Sequence, residues 1–263
     1  MIGIIPEKMG ADPPPPPYSL PEGHQHQQQH INRQFPPSFG LYVDSKLGRR
    51  YMLGEHQAQP LYAVSVHSGW SGQPSTVLHN GPTTEHPPLA GANASALGRS
   101  STVELPPPLG GAAAAQQSSS SEERLESAGG PFSPKMRFTL DLDGPSAGRR
   151  ETFEWRHSRG DEVAALGAAH AGWKLVRLGG GGGEKEAGGG SGEEIVAAWA
   201  HARMSLTKQL QFGFVGSGAS GVLGERWAIM AVITALRIWD AERRRRSRNA
   251  ASSGAGGGAA VSC

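Results

Sequence analysis

The string Gly216-Ser217-Gly218-Ala219-Ser220-Gly221 stands between an apolar run, Gln209–Val215, and a helical segment that begins near Gly224. Read as GxGxxG between a strand and a helix, it is the fingerprint that places a dinucleotide pyrophosphate on a helix N-terminus. That chemistry needs a further strand, returning beside the first with an acidic residue for the ribose. Here the helix runs into Arg243–Arg246 and a Gly/Ala tail, and Asp240, at about the right spacing, sits on the helix itself. The glycines are therefore expected to serve the backbone, turning the chain sharply where only glycine is comfortable.

Other reactive side chains do not assemble into a motif. Gly69-Trp70-Ser71-Gly72-Gln73 and Gly218-Ala219-Ser220-Gly221-Val222 fail to complete GxSxG, because the fifth position is not glycine in either. His24, His26 and His30 lie in a Gln-rich tract, and His56, His67, His79 and His157 are scattered without ligand spacing. No metal and no cofactor is expected. Asp141, Asp143, Glu151 and Glu154 alternate with turn residues and read as solvated, so no general acid/base pair follows from spacing. The expectation is a non-enzymatic protein.

Two groups of cations remain. Arg149, Arg150, Arg156, His157 and Arg159 share one hairpin and its following loop, and Lys174 and Arg177 lie on the next strand. Converging, they would form an anion-binding patch; dispersed, they are ordinary strand-face charges. The second group is Arg243, Arg244, Arg245 and Arg246, with Arg248. Cations near a helix C-terminus are favoured by the macrodipole, but four in a row exceed what capping needs. Such a run attracts anionic lipid at about 1 kcal/mol per residue near the surface. It also fits a nuclear import signal or a solvated stop to the helix.

The element that carries this run is the longest helical stretch, residues 224–246. From Trp227 to Leu236 its only polar residue is Thr234. A helix apolar on every side must be enclosed by protein or lipid. A membrane span needs about 20 apolar residues, and Arg237 interrupts this run well short of that. At 1.5 Å per residue, Glu225–Asp240 spans about 24 Å, the depth of one small domain. A core helix inside a sheet is expected, with no transmembrane segment.

Much of the remaining chain reads as low complexity. A Pro/His/Gln-rich leader covers residues 1–39, a Pro/Ala/Ser-rich insert 91–134, a glycine-rich loop 179–193 and a Ser/Gly/Ala tail 247–263. Such segments bury too little apolar surface to offset their ordering entropy, leaving roughly 150 residues for one packed domain. Of the 263 residues, 25 are basic and 23 acidic; setting aside Arg243–Arg246 and Arg248 leaves 20 against 23. That balance argues against a nucleic-acid-binding domain. The single cysteine, Cys263, excludes an intramolecular disulfide and does not fit a prenylation box. The opening residues lack the basic region and apolar run of a signal peptide, so an intracellular location is expected, in cytoplasm, at a membrane surface or in the nucleus.

Short runs rich in aromatic and β-branched residues alternate with turn signals. They cover residues 41–44, 50–54, 60–67, 75–80, 136–141, 151–157, 173–178, 195–200 and 209–215, with weaker candidates at 89–92 and 101–105. About 10–12 antiparallel strands followed by one apolar helix predict a mainly β protein, a barrel over residues 40–246 curled around its C-terminal helix. Closure buries the helix and removes the sheet's edges. Trp155, Trp173, Trp199, Trp227 and Trp239 would fill it.

This order, together with YVDSKLGRRYML, PLYAVSVHSGWSG, FEWRHSRG, GWKLVRL and LGERWAIMAVITALRIW, resembles the tubby C-terminal-like superfamily. That superfamily includes the LURP-one-related proteins and the phospholipid scramblases. The stretches are most similar to a group of uncharacterised fungal proteins assigned to it. The resemblance implies an antiparallel barrel of roughly twelve strands enclosing a hydrophobic helix. Tubby proteins bind phosphoinositide headgroups through basic surface residues, which makes anionic phospholipid the expected partner. Scramblases carry a palmitoylated cysteine cluster and a calcium-linked segment; this chain has neither, which puts scrambling in doubt.

Overall fold

The computed structural model describes residues 35–44, 50–68, 72–95, 100–107, 121–130, 133–143, 146–167, 171–179 and 193–254. Twelve strands form one closed barrel: β1 Ser38–Val43, β2 Arg50–Gly54, β3 Tyr62–Val66, β4 Thr76–His79, β5 Pro88–Ala94, β6 Ser100–Leu105, β7 Ser121–Ser127, β8 Lys135–Asp141, β9 Arg150–Ser158, β10 Gly172–Leu178, β11 Glu193–His201 and β12 Lys208–Phe214. Every strand pairs antiparallel with its sequence neighbours, and β1 closes the wall against β12. Two short helices, α1 Asp161–Ala164 and α2 Gly216–Ser220, precede the long helix α3, Glu225–Gly254. The protein is mainly β, as the alternation of apolar residues requires.

Period-two patterning aims one face of each strand at the lumen. On β9, Phe153 and Trp155 point inward, while Thr152 on the opposite face shares a hydrogen bond with Thr139 of β8 at 3.0 Å. Helix α3 fills the lumen. Trp227, Met230, Ala231, Ile233, Leu236 and Trp239 are all essentially buried, and aromatic contacts tie the helix to the wall at both its ends. Trp227 meets Phe153 of β9 and Phe214 of β12, and Trp239 lies edge-on to Tyr51 of β2. The helix lies closest to β4, β5 and β6, where Ala90 and Ala92 present small side chains. Thr234, the one polar residue of the apolar run, accepts a bond from Trp155 Nε1 at 2.9 Å and donates to the Met230 carbonyl at 2.7 Å. The five tryptophans named from sequence are all buried.

The glycine string before α3 lies tightly against the barrel wall. A Cβ on Gly218 would lie 2.1 Å from the Val196 carbonyl oxygen and 2.7 Å from the Trp227 ring. Gly224, at φ +85°, makes the bend into the lumen in a conformation that L-residues avoid, against the Asp143 side chain. Gly218 itself lies within the single turn α2, so the string is helical at its start rather than a plain loop.

Three boundaries expected from sequence are corrected. The domain begins before residue 40: Phe35 and Phe39 are buried, and β1 starts at Ser38. The insert 91–134 contributes to the wall, since it contains part of β5, all of β6 and all of β7. Strand β7, SEERLES, buries only Leu125 fully, so a hydropathy pattern could not reveal it. Helix α3 continues to Gly254, eight residues into the expected tail, because Arg, Ser and Ala extend a helix already nucleated in the core. The leader through residue 34, the glycine-rich stretch 180–192 and the tail from 255 lie outside the described residues.

Candidate functional site

An up-and-down meander puts the loops after odd-numbered strands at one end. Helix α3 enters at the opposite end, near Asp141 and Asp143, and leaves through the odd-loop end. There the Arg244 guanidinium donates to the His67 carbonyl after β3 at 2.8 Å, and Glu242 accepts from Trp173 of β10 and bonds His201 of β11, at 3.0 and 2.7 Å. The four-arginine run thus emerges from the mouth of the barrel.

Its first two members are organised by one buried acid. Asp240, fully buried, accepts from Arg243 at 2.8 Å and from Arg244 Nε at 2.6 Å. Arg243 also lies over the Trp239 ring at 5.7 Å, a cation–π placement. Two guanidinium groups share one carboxylate, so the assembly keeps a net positive charge. Arg246 reaches Glu242 at 3.6 Å and is otherwise exposed. Arg245 and Arg248 are exposed. Arg243, Arg244, Ser247 and Arg248 form one side of a cleft of about 450 Å³, and Val66, His67 and Ser68 form the other.

A hydrogen-bonded relay fixes the His67 side of the cleft. His79 Nδ1 bonds the His86 carbonyl at 3.0 Å, so in neutral His79 that nitrogen carries the hydrogen. Ser65 Oγ then donates to His79 Nε2 at 2.9 Å, and His67 Nε2 donates to Ser65 at 3.1 Å. Burial, followed by the neighbouring His79, pushes the His67 pKa below the usual imidazole value. Ser65 and His79 carried no signal as a pair, because they lie on different short strands and only the β3–β4 pairing brings them together. Across the mouth, His157 lies against Trp173 with ring centroids 3.9 Å apart and the rings tilted by 38°. Its pKa is lowered by burial, against the pull of Glu242 and with the push of Arg245 and His201. Glu242 itself is held below the ordinary carboxylate range: burial acts to raise it, but hydrogen bonds from His201 and Trp173 outweigh that.

The hairpin patch expected on β9 and β10 does not converge. Arg149 and Arg150 lie at the helix-entry end of β9, and Arg156 is six residues along the strand, about 20 Å away. Arg177 belongs to the entry end as well, whereas Lys174 and Arg159 lie toward the exit. Most of these cations meet carboxylates: Arg150 meets Asp141 at 2.6 Å, Arg177 meets Glu151 at 2.5 Å, and Arg156 meets Glu154 at 2.7 Å and Glu193 at 2.8 Å. Lys174 lies 3.8 Å from Glu162, and Arg149 3.7 Å from Glu151. Arg159 lines a separate cleft with His157, Ser158 and Ser133.

The carboxylates read as solvated are a correction. Only Asp141 is well exposed; Asp143, Glu151 and Glu154 are 6%, 7% and 1% accessible. Glu154 lies on the outer wall, covered by Lys135, Arg137 and Arg156. Burial acts to raise its pKa, but its bonds to Arg156 and Arg137 hold it low. Alternation of charged residues within β9 looked like solvent exposure because the covering side chains come from β8 and β9 themselves.

The geometry defines a twelve-stranded barrel, threaded by a helix, with a cationic cleft where that helix leaves. No family model matches the chain, and neither a curated protein nor a solved structure matches it. Among the described residues, no helix is long and apolar enough to cross a membrane, and no group of three or more His, Cys, Asp or Glu side chains is placed to hold a metal ion.

Proposed function

We propose that this protein is a non-enzymatic binding or scaffold module that docks on anionic phospholipid surfaces through the helix-exit end of its barrel. The observation that carries the reading is the cleft between Arg243, Arg244 and Arg248 of α3 and His67 after β3. Asp240 neutralises only part of that charge, and it stiffens the two arginines nearest the barrel. A phosphate group entering the cleft would meet guanidinium groups already desolvated on one side, which strengthens charge-assisted bonds. The barrel around a C-terminal helix supports the resemblance to tubby C-terminal-like proteins, and the lipid reading agrees with it. The exit-end arginines carry that reading, since most of the β9–β10 cations are paired with neighbouring carboxylates.

The import-signal reading is weakened by the same geometry. Arg243 and Arg244 are tied into the helix and to the wall, so the run is not presented as an extended basic peptide. The lipid reading is tested by co-sedimentation with phosphatidylcholine vesicles containing phosphatidylserine or a phosphoinositide. Binding at low ionic strength that weakens with salt and is lost in R243Q/R244Q/R248Q is expected. Absence of binding at low ionic strength, or binding indifferent to those substitutions, overturns it.

A further inference from the structure

The turn between β11 and β12 carries two large apolar side chains that the fold leaves in water. Met204 is 99% and Leu206 98% exposed, and the whole tip, Arg203-Met204-Ser205-Leu206, is exposed. Isolated surface apolar residues are ordinary; two fully exposed ones on one four-residue tip are not explained by packing. Met204 moreover stands at φ +52°, a left-handed position that favours glycine or asparagine over a long unbranched side chain. Among the described residues, none covers the Met204 side chain.

The location of the tip supplies the missing partner. It follows an odd-numbered strand, so it projects from the end where α3 leaves. Its root is fixed there: His201, the last residue of β11, bonds Glu242 at 2.7 Å, one residue before the arginine run. Exposed cations share that end, namely Arg203 on the tip itself and Arg245, Arg246 and Arg248 on the helix. Apolar side chains beside arginines on one face match a bilayer interface, where acyl boundary and anionic headgroups lie within a few ångströms of depth.

We infer that the β11–β12 tip is a membrane wedge, with Met204 and Leu206 entering the interfacial region of a bilayer while the exit-end arginines hold its headgroups. The inference rests on the lipid reading of the cleft and adds to it a second, apolar mode of attachment. It makes retention on a vesicle partly insensitive to salt, because burial of Met and Leu is not screened as charge attraction is.

The experiment uses the full chain with Cys263→Ser and a single labelling cysteine, Met204→Cys or Leu206→Cys, carrying an environment-sensitive fluorophore. Vesicles are phosphatidylcholine alone or with phosphatidylserine. A blue shift on phosphatidylserine vesicles, with quenching by lipids brominated near the headgroup end of the chain, is expected. In parallel, M204D/L206D should weaken co-sedimentation at least about tenfold and abolish the salt-resistant part, while circular dichroism stays unchanged because neither side chain packs on the fold. If the unlabelled protein fails to bind either vesicle, the cleft reading and the wedge fall together. If it binds, but the fluorophore does not shift and M204D/L206D binds equally, the wedge alone is overturned and the arginine cleft stands. Concentration-dependent self-association abolished by M204D/L206D, without any shift on vesicles, would make the tip a protein contact and overturn the wedge as well.

Discussion

The two ends of the barrel handle charge in opposite ways. At the entry end, Arg226 of α3 is only 5% exposed and is surrounded: it pairs with Glu123 of β7 at 3.0 Å and donates to the Asp141 carbonyl and the Ser121 hydroxyl. Its backbone N–H donates to Asp143. At the exit end, two arginines share one buried Asp240 and others point to solvent. Charge that is matched and buried holds structure together; charge that is left in excess and exposed is available to a partner. The difference is carried by one helix, whose first turn is a staple and whose last turns are a surface.

The staple matters because the wall is thin where it acts. Among the described residues, strands β7 and β8 pair at Glu126–Arg137 and Ser127–Met136, and one more backbone bond, from the Ala128 N–H to the Lys135 carbonyl, extends the seam away from the entry end. Toward the entry end they diverge around a cleft of about 380 Å³ lined by Glu122, Glu123, Arg124, Thr139 and Arg150. Arg226 spans that seam from inside, replacing backbone pairs with side-chain bonds. The largest expected effect is therefore R226A. Removing one partner of a buried pair leaves the other uncompensated, a loss of about 3–5 kcal/mol, read as a fall in the urea midpoint. The double variant R226M/E123L should recover most of it, because apolar residues of similar volume replace a buried pair at little cost. Recovery failing in the double variant would show that the bonds to Asp141 and Ser121, not the ion pair, close the seam.

At the exit end the same operation should do the reverse. R245Q/R246Q/R248Q removes exposed charges and is expected to change stability by no more than about 0.5 kcal/mol. Affinity for anionic vesicles should fall by about 1 kcal/mol per residue, roughly a hundredfold for the three, measured by co-sedimentation at low salt. A large loss of stability with unchanged vesicle binding would erase the contrast between the ends. Between them lies Thr234, a neutral point of comparison in the middle of the lumen. T234V keeps the shape but leaves Trp155 Nε1 without its acceptor, which costs about 1–3 kcal/mol. Vesicle binding should not move.

How much of this contrast could be read from residues alone depends on whether the signal was local. The apolar run Trp227–Leu236 announced an enclosed helix, and enclosure by a β-rich chain announced a closed barrel; both are written in contiguous residues. Arg226 gave no warning, because its partners lie about a hundred residues away on β7 and β8. The same holds for Glu154, whose burial depends on arginines brought over it by register. The β9 cations looked like one patch because spacing along a strand says nothing of which end of a barrel each residue occupies. The relay His67–Ser65–His79 and the exposed pair Met204 and Leu206 were illegible for the opposite reason. Isolated Ser, His, Met and Leu residues are common everywhere, and only closure of the wall shows which of them meet and which are left uncovered.

Acid should distinguish the two ends more gently than mutation does. His67 and His157, both at the exit, have pKa values pushed below the usual imidazole value of about 6.5, chiefly by burial and then by neighbouring positive groups. As pH falls below about 6.5 the unfolded chain therefore takes up protons that the folded chain still refuses. With more protons bound in the unfolded state, stability decreases on acidification through that window, until the folded imidazoles titrate as well. The carboxylates act later: Glu154, Glu242 and Glu194 of β11, which accepts from the Ser217 N–H and hydroxyl, are held below the ordinary value, so their contribution is intact above about 4.3 and is lost as pH falls through their folded values. Urea midpoints should thus drop modestly between pH 7.5 and 5.5, and H67Q/H157Q should flatten that step without touching the later one. Hydrogen exchange should place the early loosening around the exit, near β3, β10 and the end of β11, before the Arg226 seam responds. Equal loosening of both ends across the first window would mean that buried imidazoles are not what sets the acid sensitivity of the mouth.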